Sequence, residues 1–251
     1  MENLKFLAVC AAALAAMLLI AAAAEKYICC DNKKPGSTHY VTYAAVFAAM
    51  SGVLMTLEIP LFFAPSFYKL DFSELPVLIC TFYLGPVAGV ATEFIKIIVK
   101  LLLKGTSTAF VGELANFLTG CAFILPASII YHAKPGKKTA IIGMAVGTLI
   151  LAVFGSLFNA VYLIPKFAEM YGMPLEAIVS MGSEVNGAIN SVSTLVLFAV
   201  VPFNLLKGIV VSLITYLLYK RISPLLHKGD EKRQNAAPQK KPYKVQRSCA
   251  K

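Results

Sequence analysis

The sequence predicts an all-α integral membrane protein. Of its 251 residues, 58% are hydrophobic and only 14% are charged, whereas ordinary soluble domains carry roughly 25% charged residues. The mean hydropathy is +0.73. Apolar runs of about 20 residues, the length that a helix needs to cross the hydrocarbon core of a bilayer, recur along the chain. These runs leave no room for a separate soluble domain.

Seven apolar segments are predicted to be membrane helices, one at the N-terminus and six that form a core. The fourth segment is the weakest, because Glu93, Lys96 and Lys100 interrupt it. Lysine side chains can snorkel and glutamate can face the interior of a bundle, so we retain this segment as a helix. The segments in chain order are Leu4–Ala24, Tyr40–Leu57, Ser73–Ala91, Thr92–Leu103, Phe110–Tyr131, Thr139–Ile164 and Ser191–Tyr219.

The distribution of basic residues predicts the topology. Two short basic loops, His132 to Lys138 and Tyr219 to Lys228, are expected on the cytoplasmic side of a cell membrane. Six core spans then place Lys33 and Lys34 on the same side and the C-terminus in the cytoplasm. The first segment resembles a signal peptide, but cleavage near Ala24 would leave both lysines outside. We therefore expect a retained helix whose N-terminus is outside.

The chain divides into three predicted parts. Residues 1–39 hold the N-terminal helix and a linker, residues 40–222 form the membrane domain, and residues 223–251 form a basic tail. The net charge is +10, and eight of the 23 basic residues lie in the tail. This composition predicts a disordered tail attracted to anionic lipid headgroups rather than to nucleic acid.

The sequence carries no signature of catalysis. It contains no P-loop, HExxH, GxSxG or dinucleotide-binding motif. The six cysteines show no CxxC or metal-ligand spacing. The three histidines, His39, His132 and His227, fall at span edges or in loops. We therefore expect neither enzymatic activity nor a bound cofactor or metal.

Four sets of polar residues lie at predicted membrane depth, where such groups are costly unless they face a cavity or a partner. Each set also has a purely structural interpretation, as an i,i+3 ion pair or as a hydrogen bond between helices. Lys207 begins an apolar run that continues to Leu218, so its ammonium should meet a ligand, an acid or water. The sets are Glu93 with Lys96, Glu113 with Asn116, Asn159, and Asn204 with Lys207.

The segment LEIPLFFAPSFYKLDFSELP, from Leu57 to Pro76, lies between two apolar spans. Its prolines restrict the backbone, and its aromatic residues supply a π surface. The letters DFSE predict a helix start in which Asp71 caps and Glu74 reaches back. An ordered aromatic loop on the outer face predicts a lid over a pocket for a flat, amphipathic ligand. The alternative is an interfacial loop whose aromatic rings lie at headgroup level.

Four motifs, EIPLFFAPSFYKLDFSELP, LGPVAGVATEFIK, GELANFLTG and VPFNLLKGIVVS, together resemble the riboflavin-specific S component of energy-coupling-factor (ECF) vitamin transporters. The similarity covers Tyr40 to Ile222. It implies a six-helix membrane protein that captures riboflavin from outside and delivers it through a coupling protein and two ATPases. The N-terminal helix and the tail are additions to that core. The long connection from Lys166 to Asn190 is expected to form a short interfacial helix over the rim of the pocket.

The resemblance also implies the functional residues. The lid is expected to comprise Phe67, Tyr68, Lys69, Leu70 and Asp71, with further substrate contacts from Asn159, Asn204 and Lys207. The family's AxxxA pattern, which meets the coupling protein, fits YAAVFAAM twice, through Ala44 with Ala48 and Ala45 with Ala49.

Two alternatives remain open at this point. In the first alternative, the chain is an S component for another vitamin or flavin-like compound. The fold is then the same, and the pocket residues differ in role. In the second alternative, the chain is a stand-alone ion-coupled transporter, and Glu93, Glu113 and Lys207 lie along a proton or ion path. Uptake that continues without the ATPase partners and collapses with an uncoupler distinguishes the second alternative.

Overall fold

The computed structural model describes residues 2–28, 38–61, 65, 68–106 and 108–236, and these residues form a helical bundle with one short β-hairpin. Two π-helical turns, Asn159–Leu163 and Val196–Val200, continue α6 into α7 and α9 into α10. The elements are α1 Glu2–Tyr27, α2 Thr38–Thr56, β1 Ile59–Pro60, β2 Lys69–Leu70, α3 Glu74–Leu84, α4 Pro86–Lys104, α5 Val111–Ala133, α6 Lys137–Phe158, α7 Ile164–Tyr171, α8 Leu175–Ser183, α9 Val192–Leu195 and α10 Val201–Ala236.

Within the described residues, five helical segments are long and apolar enough to cross a membrane. They lie in α1, α2, α5, the continuous α6–α7 segment and the α9–α10 segment. Two core helices fall outside this count for physical reasons. Helix α3 has only 11 residues, and α4 carries four charged side chains, Glu93, Lys96, Lys100 and Lys104. The expectation of a multi-pass α-helical membrane protein is confirmed.

The boundary between the second and third core helices differs from the predicted one. The sequence segments break between Ala91 and Thr92, but the structure breaks at Gly85 and Pro86. Gly85 has a φ of 110°, a conformation that glycine adopts far more readily than other residues. Pro86 then occupies the first helical turn, where its missing N–H costs nothing. The glycine–proline pair was the available signal, and the continuous hydrophobicity across it hid the break.

Close helix contacts hold the core together. Helices α5 and α6 approach through Gly143 and Gly147, where an added Cβ would come within 2.7 Å of the Ala127 carbonyl oxygen and 2.5 Å of the Phe123 carbonyl oxygen. Without a hydrophobic driving force between helices in lipid, such small residues allow the backbone packing that holds a bundle. Leu151 and Val211, from α6 and α10, are buried in the same cluster as Phe123.

The additional N-terminal helix packs alongside the core. Ala21 of α1 is fully buried and lies in one apolar cluster with Val90 of α4 and Phe117 of α5. The carboxylate of Glu25 lies beside Gly85, at the junction of α3 and α4. The predicted helix at Leu4–Ala24 therefore exists and extends to Tyr27.

Two segments outside the predicted membrane helices contain more helix than the sequence predicts. The connection from Lys166 to Asn190, predicted to hold one short helix, contains most of α7 and all of α8. Helix α10 continues to Ala236, so positions 223–236, predicted to be disordered, are helical. The rest of the tail lies outside the described residues, as do Lys33 and Lys34.

Candidate functional site

A two-stranded hairpin lies between α2 and α3. Strand β1 pairs antiparallel with β2, with Ile59 opposite Leu70 and Pro60 opposite Lys69. The predicted ordered loop is therefore a hairpin, and its second strand brings Tyr68 and Leu70 into buried positions. Three predicted aromatic residues of this segment, Phe62, Phe63 and Phe67, lie outside the described residues.

The start of α3 differs from the predicted capping box. The Asp71 carboxylate accepts hydrogen bonds from the Ser73 backbone N–H, at 2.9 Å, and from the Ser73 hydroxyl. Ser73 is the N-cap, and its side chain makes no capping bond. The Glu74 carboxylate accepts a hydrogen bond of 3.2 Å from the Ser73 hydroxyl through Oε2, while its Oε1 pairs with the buried Lys96 and Lys207. The DFSE motif thus begins the helix, but with an Asx turn rather than a reciprocal cap.

A cavity of about 330 Å³ lies beneath the hairpin. Its volume falls within the range of roughly 300–1,000 Å³ that is typical of small-molecule sites. The lining mixes aromatic rings with amides and charged groups, as such sites do. The residues that line it are Met55, Glu58, Tyr68, Lys69, Asp71, Lys100, Thr108, Gly112, Glu113, Ala115, Asn116, Thr119, Leu151, Asn159, Leu163, Phe167, Tyr171, Phe203, Asn204 and Lys207.

Tyr68 connects the hairpin to the helices that line the cavity. Its hydroxyl donates a hydrogen bond of 2.7 Å to Asn159 Oδ1, and its ring centroid lies 5.4 Å from that of Phe203. Burial raises the pKa of the Tyr68 hydroxyl above its ordinary value, so this group is a hydrogen-bond donor at neutral pH. Asn159 Nδ2 in turn donates to the Gly155 carbonyl at 2.6 Å.

Asn159 begins one of the two π-helical turns. Such turns widen a helix locally and occur frequently at functional sites. Here the turn follows directly after the last residue of α6. It brings Asn159 into the wall of the cavity with its amide held at both ends.

Asn204 on α10 is the second amide of the cavity. The residue is 5% exposed, and its Nδ2 atom is buried without a hydrogen-bond partner among the described residues. A Cβ at Gly155 would come within 2.8 Å of that atom, so glycine at this position gives the amide its space. An unsatisfied buried donor is costly, and Asn204 is among the residues that line the cavity.

Lys207 lies one helical turn from Asn204 and is paired with two acids. Its Nζ lies 3.2 Å from Asp71 Oδ2 and 2.9 Å from Glu74 Oε1. Burial raises the pKa of Asp71, but Lys207, Lys96 and hydrogen bonds from Ser73 outweigh that effect and lower it below its usual value. The expectation that Lys207 meets a ligand, an acid or water is confirmed for the acids.

The ion pairs extend from the cavity into the bundle. Lys96, which is fully buried, lies 3.3 Å from Glu74 and 2.5 Å from Glu93. The predicted i,i+3 pair of Glu93 and Lys96 is therefore present. With Asp71 and Lys207 these residues form a buried ionic cluster of three acids and two lysines, drawn from the end of the hairpin, α3, α4 and α10.

Glu113, which the sequence places at membrane depth together with Asn116, forms an ion pair with the neighbouring helix α4. Lys100 Nζ lies 2.6 Å from Glu113 Oε1. The hydroxyls of Thr106 and Thr108 both donate to Glu113 Oε2, at 3.1 Å and 2.9 Å. Glu113 is thereby held by α4 and by the turn before α5, and Asn116 is left to line the cavity.

A third, more exposed set lies at the hairpin. Glu58 Oε2 is 2.8 Å from both Lys69 Nζ and Lys104 Nζ. Burial raises the pKa of Glu58, but its hydrogen bonds and charge interactions with Lys104 and Lys69 outweigh this and lower it. These pairs join the base of the hairpin to the end of α4.

Most of the predicted site residues come together at the cavity. Tyr68, Lys69, Asp71, Asn159, Asn204 and Lys207 all line it. Leu70 is buried beside it without contributing to the lining, and Phe67 lies outside the described residues. Sequence reasoning missed Phe203, Phe167 and Lys100, which line the cavity. Lys100 lies one helical turn after Lys96, so helical spacing was a signal for Lys100. Phe203 directly precedes Asn204, and adjacent helical residues do not share a face, so spacing did not point to Phe203.

The predicted coupling residues separate into two faces of α2. Ala44 and Ala48 are buried, and Ala44 packs against α3 beside Ile79. Ala45 and Ala49 are exposed on the outer face. Ala44 and Ala48 are therefore unavailable to a partner in this structure, because the bundle itself covers them.

No group of three or more histidine, cysteine, aspartate or glutamate side chains in the described part of the chain is placed to hold a metal ion. The site instead combines a hairpin-covered cavity, two amides and aromatic rings within a membrane-spanning bundle. These features define a membrane protein that binds a small organic substrate.

A family model described as "ECF transporter, substrate-specific component" matches residues 39–219. The chain belongs to this family. The match begins and ends at the six-helix core, so α1 and the tail lie outside it.

Curated relatives and a solved structure agree with the family. The chain is 33% identical over 182 residues to "Riboflavin transporter RibU" of Staphylococcus aureus (strain TCH60), which covers 72% of this chain and 89% of the relative. It is 28% identical to "Riboflavin transporter FmnP" of Bacillus subtilis (strain 168), which covers 72% and 90%. A structure titled "Structure and mechanism of the S component of a bacterial ECF transporter" superimposes with a TM-score of 0.59 at 32% identity, covering 75% of this chain and 97% of that one.

Proposed function

We propose that this chain is the riboflavin-binding S component of an ECF-type vitamin importer. The observation that carries the proposal is the buried Asn204 amide, whose Nδ2 atom has no partner among the described residues and which faces the same cavity as Asn159. The relatives that the chain resembles over most of their length are named as riboflavin transporters.

The chemistry of the cavity suits a flavin. Riboflavin has a flat ring system with a uracil-like edge, on which carbonyl acceptors flank an N–H donor. An asparagine amide both donates and accepts, so Asn159 and Asn204 match such an edge. Tyr68 and Phe203 supply aromatic surface beside these amides, and aromatic rings pack favourably on a planar ligand.

Lys207 contributes a positive charge that does not require an anionic ligand. Its ammonium is already balanced by Asp71 and Glu74, so a neutral vitamin can bind beside it without leaving a cation unpaired. Two of its three N–H groups serve these acids, which leaves the third to donate to a ligand carbonyl.

The transport role requires partners. We propose that the chain docks on a transmembrane coupling protein that is joined to two ATPases, and that it has no catalytic activity itself. The exposed Ala45 and Ala49 on α2 form the AxxxA surface for this contact, because small residues permit close approach of a partner helix. The basic loops support a cytoplasmic C-terminus and a hairpin on the outer face of the membrane, by the positive-inside rule.

A fluorescence titration tests the proposal. Riboflavin fluorescence is followed as purified, detergent-solubilised protein is added, with thiamine as a non-flavin competitor. We expect quenching that saturates at about one flavin per chain and that excess thiamine does not reverse. Unchanged fluorescence would contradict the riboflavin assignment, and displacement by another vitamin would identify an S component for that compound instead.

A further inference from the structure

Helix α5 forms one wall of the cavity. Gly112, Ala115, Asn116 and Thr119 of α5 all line the cavity. Their spacing of three, one and three residues places them on a single face of the helix. Two of the four carry little or no side chain, so the wall leaves space along the helix rather than filling it. Asn116 is the large polar residue within that face.

Some polar groups at this wall have hydrogen-bond partners within the protein, and one does not. Both oxygens of Glu113 are already engaged, by Lys100 on one side and by Thr106 and Thr108 on the other. The Thr119 hydroxyl donates to the Ala115 carbonyl at 2.8 Å. By contrast, the Oδ1 atom of Asn116 is buried and accepts no hydrogen bond from any described residue.

A buried carbonyl oxygen without a donor is unfavourable. Native structures rarely retain such a group unless water or a ligand satisfies it. Because Asn116 lines the cavity, a rotation of its amide about the Cβ–Cγ bond would present Oδ1 to a bound molecule that supplies the missing donor. An alcohol hydroxyl is a suitable donor, since it can donate to Oδ1 and accept from the amide N–H of the same side chain.

We infer that the α5 wall, centred on Asn116, is a polyol subsite that binds the hydroxylated chain of the substrate. The inference rests on the proposed function and divides the ligand between two regions. The ring edge meets the amides of Asn159 and Asn204, and the ribityl hydroxyls run along the open face formed by Gly112 and Ala115. Asn116 therefore selects flavins that carry a hydroxylated side chain.

Comparing the binding of two ligands distinguishes a contact with the hydroxylated chain from a general disturbance of the cavity. Riboflavin carries the hydroxylated chain, and lumiflavin has the same ring system with a methyl group in its place. In Asn116→Leu, which keeps the approximate volume but removes both polar atoms, we expect the Kd for riboflavin to rise about 5- to 100-fold. The Kd for lumiflavin is expected to stay within about twofold, because its ring contacts are unchanged.

Two further variants complete the experiment. Asn116→Asp keeps the acceptor oxygens, so it should restore riboflavin binding to within a few-fold of wild type. Asn204→Ala should weaken riboflavin and lumiflavin alike. Equal weakening of both ligands by Asn116→Leu, or no weakening of riboflavin, would overturn the subsite. Wild-type protein that binds neither flavin would instead contradict the proposed function.

Discussion

Tyr68 in the hairpin and Asn159 in the π-helical turn are 91 positions apart in the chain and share a hydrogen bond of 2.7 Å. The bond joins the segment that covers the cavity to a residue in its wall. It also fixes the orientation of the Asn159 amide, since Asn159 Nδ2 is held by the Gly155 carbonyl. The covering segment and the site are therefore organised by one chain of hydrogen bonds.

Removal of the Tyr68 hydroxyl should loosen this connection. Tyr68→Phe keeps the ring that packs on Phe203 but leaves Asn159 Oδ1 without its donor. We expect riboflavin to dissociate faster, with a loss of about 0.5–1.5 kcal/mol in binding free energy, the usual net value of one hydrogen bond. Stopped-flow measurement of flavin release checks this. Unchanged release would show that the bond does not hold the covering segment.

Gly155 should be intolerant of even one added carbon. A Cβ there would lie 2.8 Å from Asn204 Nδ2, so Gly155→Ala must displace the Asn204 amide. We expect riboflavin affinity to fall by about 1–3 kcal/mol, the cost of a lost buried polar contact. Gly187→Ala is the matched control, because nothing lies within 4 Å of its added Cβ. Fluorescence titration of both proteins measures the difference, and equal affinities would remove Asn204 from the site.

The buried ionic cluster should be sensitive to the loss of a single charge. Lys96 is 0% exposed and contacts Glu74 and Glu93. Lys96→Met leaves Glu93 without its cation and Glu74 with Lys207 alone, and removal of one partner from a buried pair typically costs about 3–5 kcal/mol. We expect a marked drop in melting temperature in detergent.

The control for this prediction removes an acid as well. Lys96→Met combined with Glu93→Gln takes away the isolated charge and should recover part of the lost stability, since replacement of both partners is tolerated far better than replacement of one. A double variant no more stable than Lys96→Met would show that charge balance is not what the cluster requires.

The exposed ion pairs at the hairpin should produce a small pH dependence. The pKa of Glu58 is lower in the folded protein than in the unfolded chain. The Glu58 ion pairs therefore stabilise the folded protein when the pH is above the pKa of glutamate in the unfolded chain. This stabilisation is lost as the pH falls through the lower pKa that Glu58 has in the folded protein. The effect should be at most about 1 kcal/mol, because exposed ion pairs are screened by water and salt.

Melting curves between neutral and acidic pH, compared for wild type and Glu58→Gln, check this contribution. The difference between the two proteins should shrink as the pH falls and as salt is added. Glu169→Gln, which removes an ion pair with Lys166 inside α7, is the matched control. A difference that grows towards acidic pH would contradict the sign assigned to Glu58.

Much of the fold followed from patterns that are local in sequence. Long apolar runs predict α1, α2, α5, α6 and α10 because the bilayer imposes one length on every crossing helix. The break at Gly85 was missed, since hydrophobicity continues across it and only the backbone conformation reveals it. The two π-helical turns left no periodicity signal, because each inserts a single wide turn into a long helix.

The sequence predicted those site residues whose chemical type is unusual within a membrane helix. An amide or a lysine at membrane depth must be satisfied, so Asn159, Asn204 and Lys207 stood out. Their partners did not, because Lys207 meets Asp71 across 136 positions of the chain and no local spacing encodes that contact. For the same reason, the ion pair of Glu113 with Lys100 on the adjacent helix was not predicted.

The most direct test of the central claim is the absorbance spectrum of the full-length protein, purified in detergent from cells grown with riboflavin. We predict a yellow protein that releases about one flavin per chain on denaturation, and an Asn204→Ala variant that retains much less. A colourless wild-type protein that also leaves the fluorescence of added riboflavin unchanged would contradict the assignment of riboflavin as its substrate.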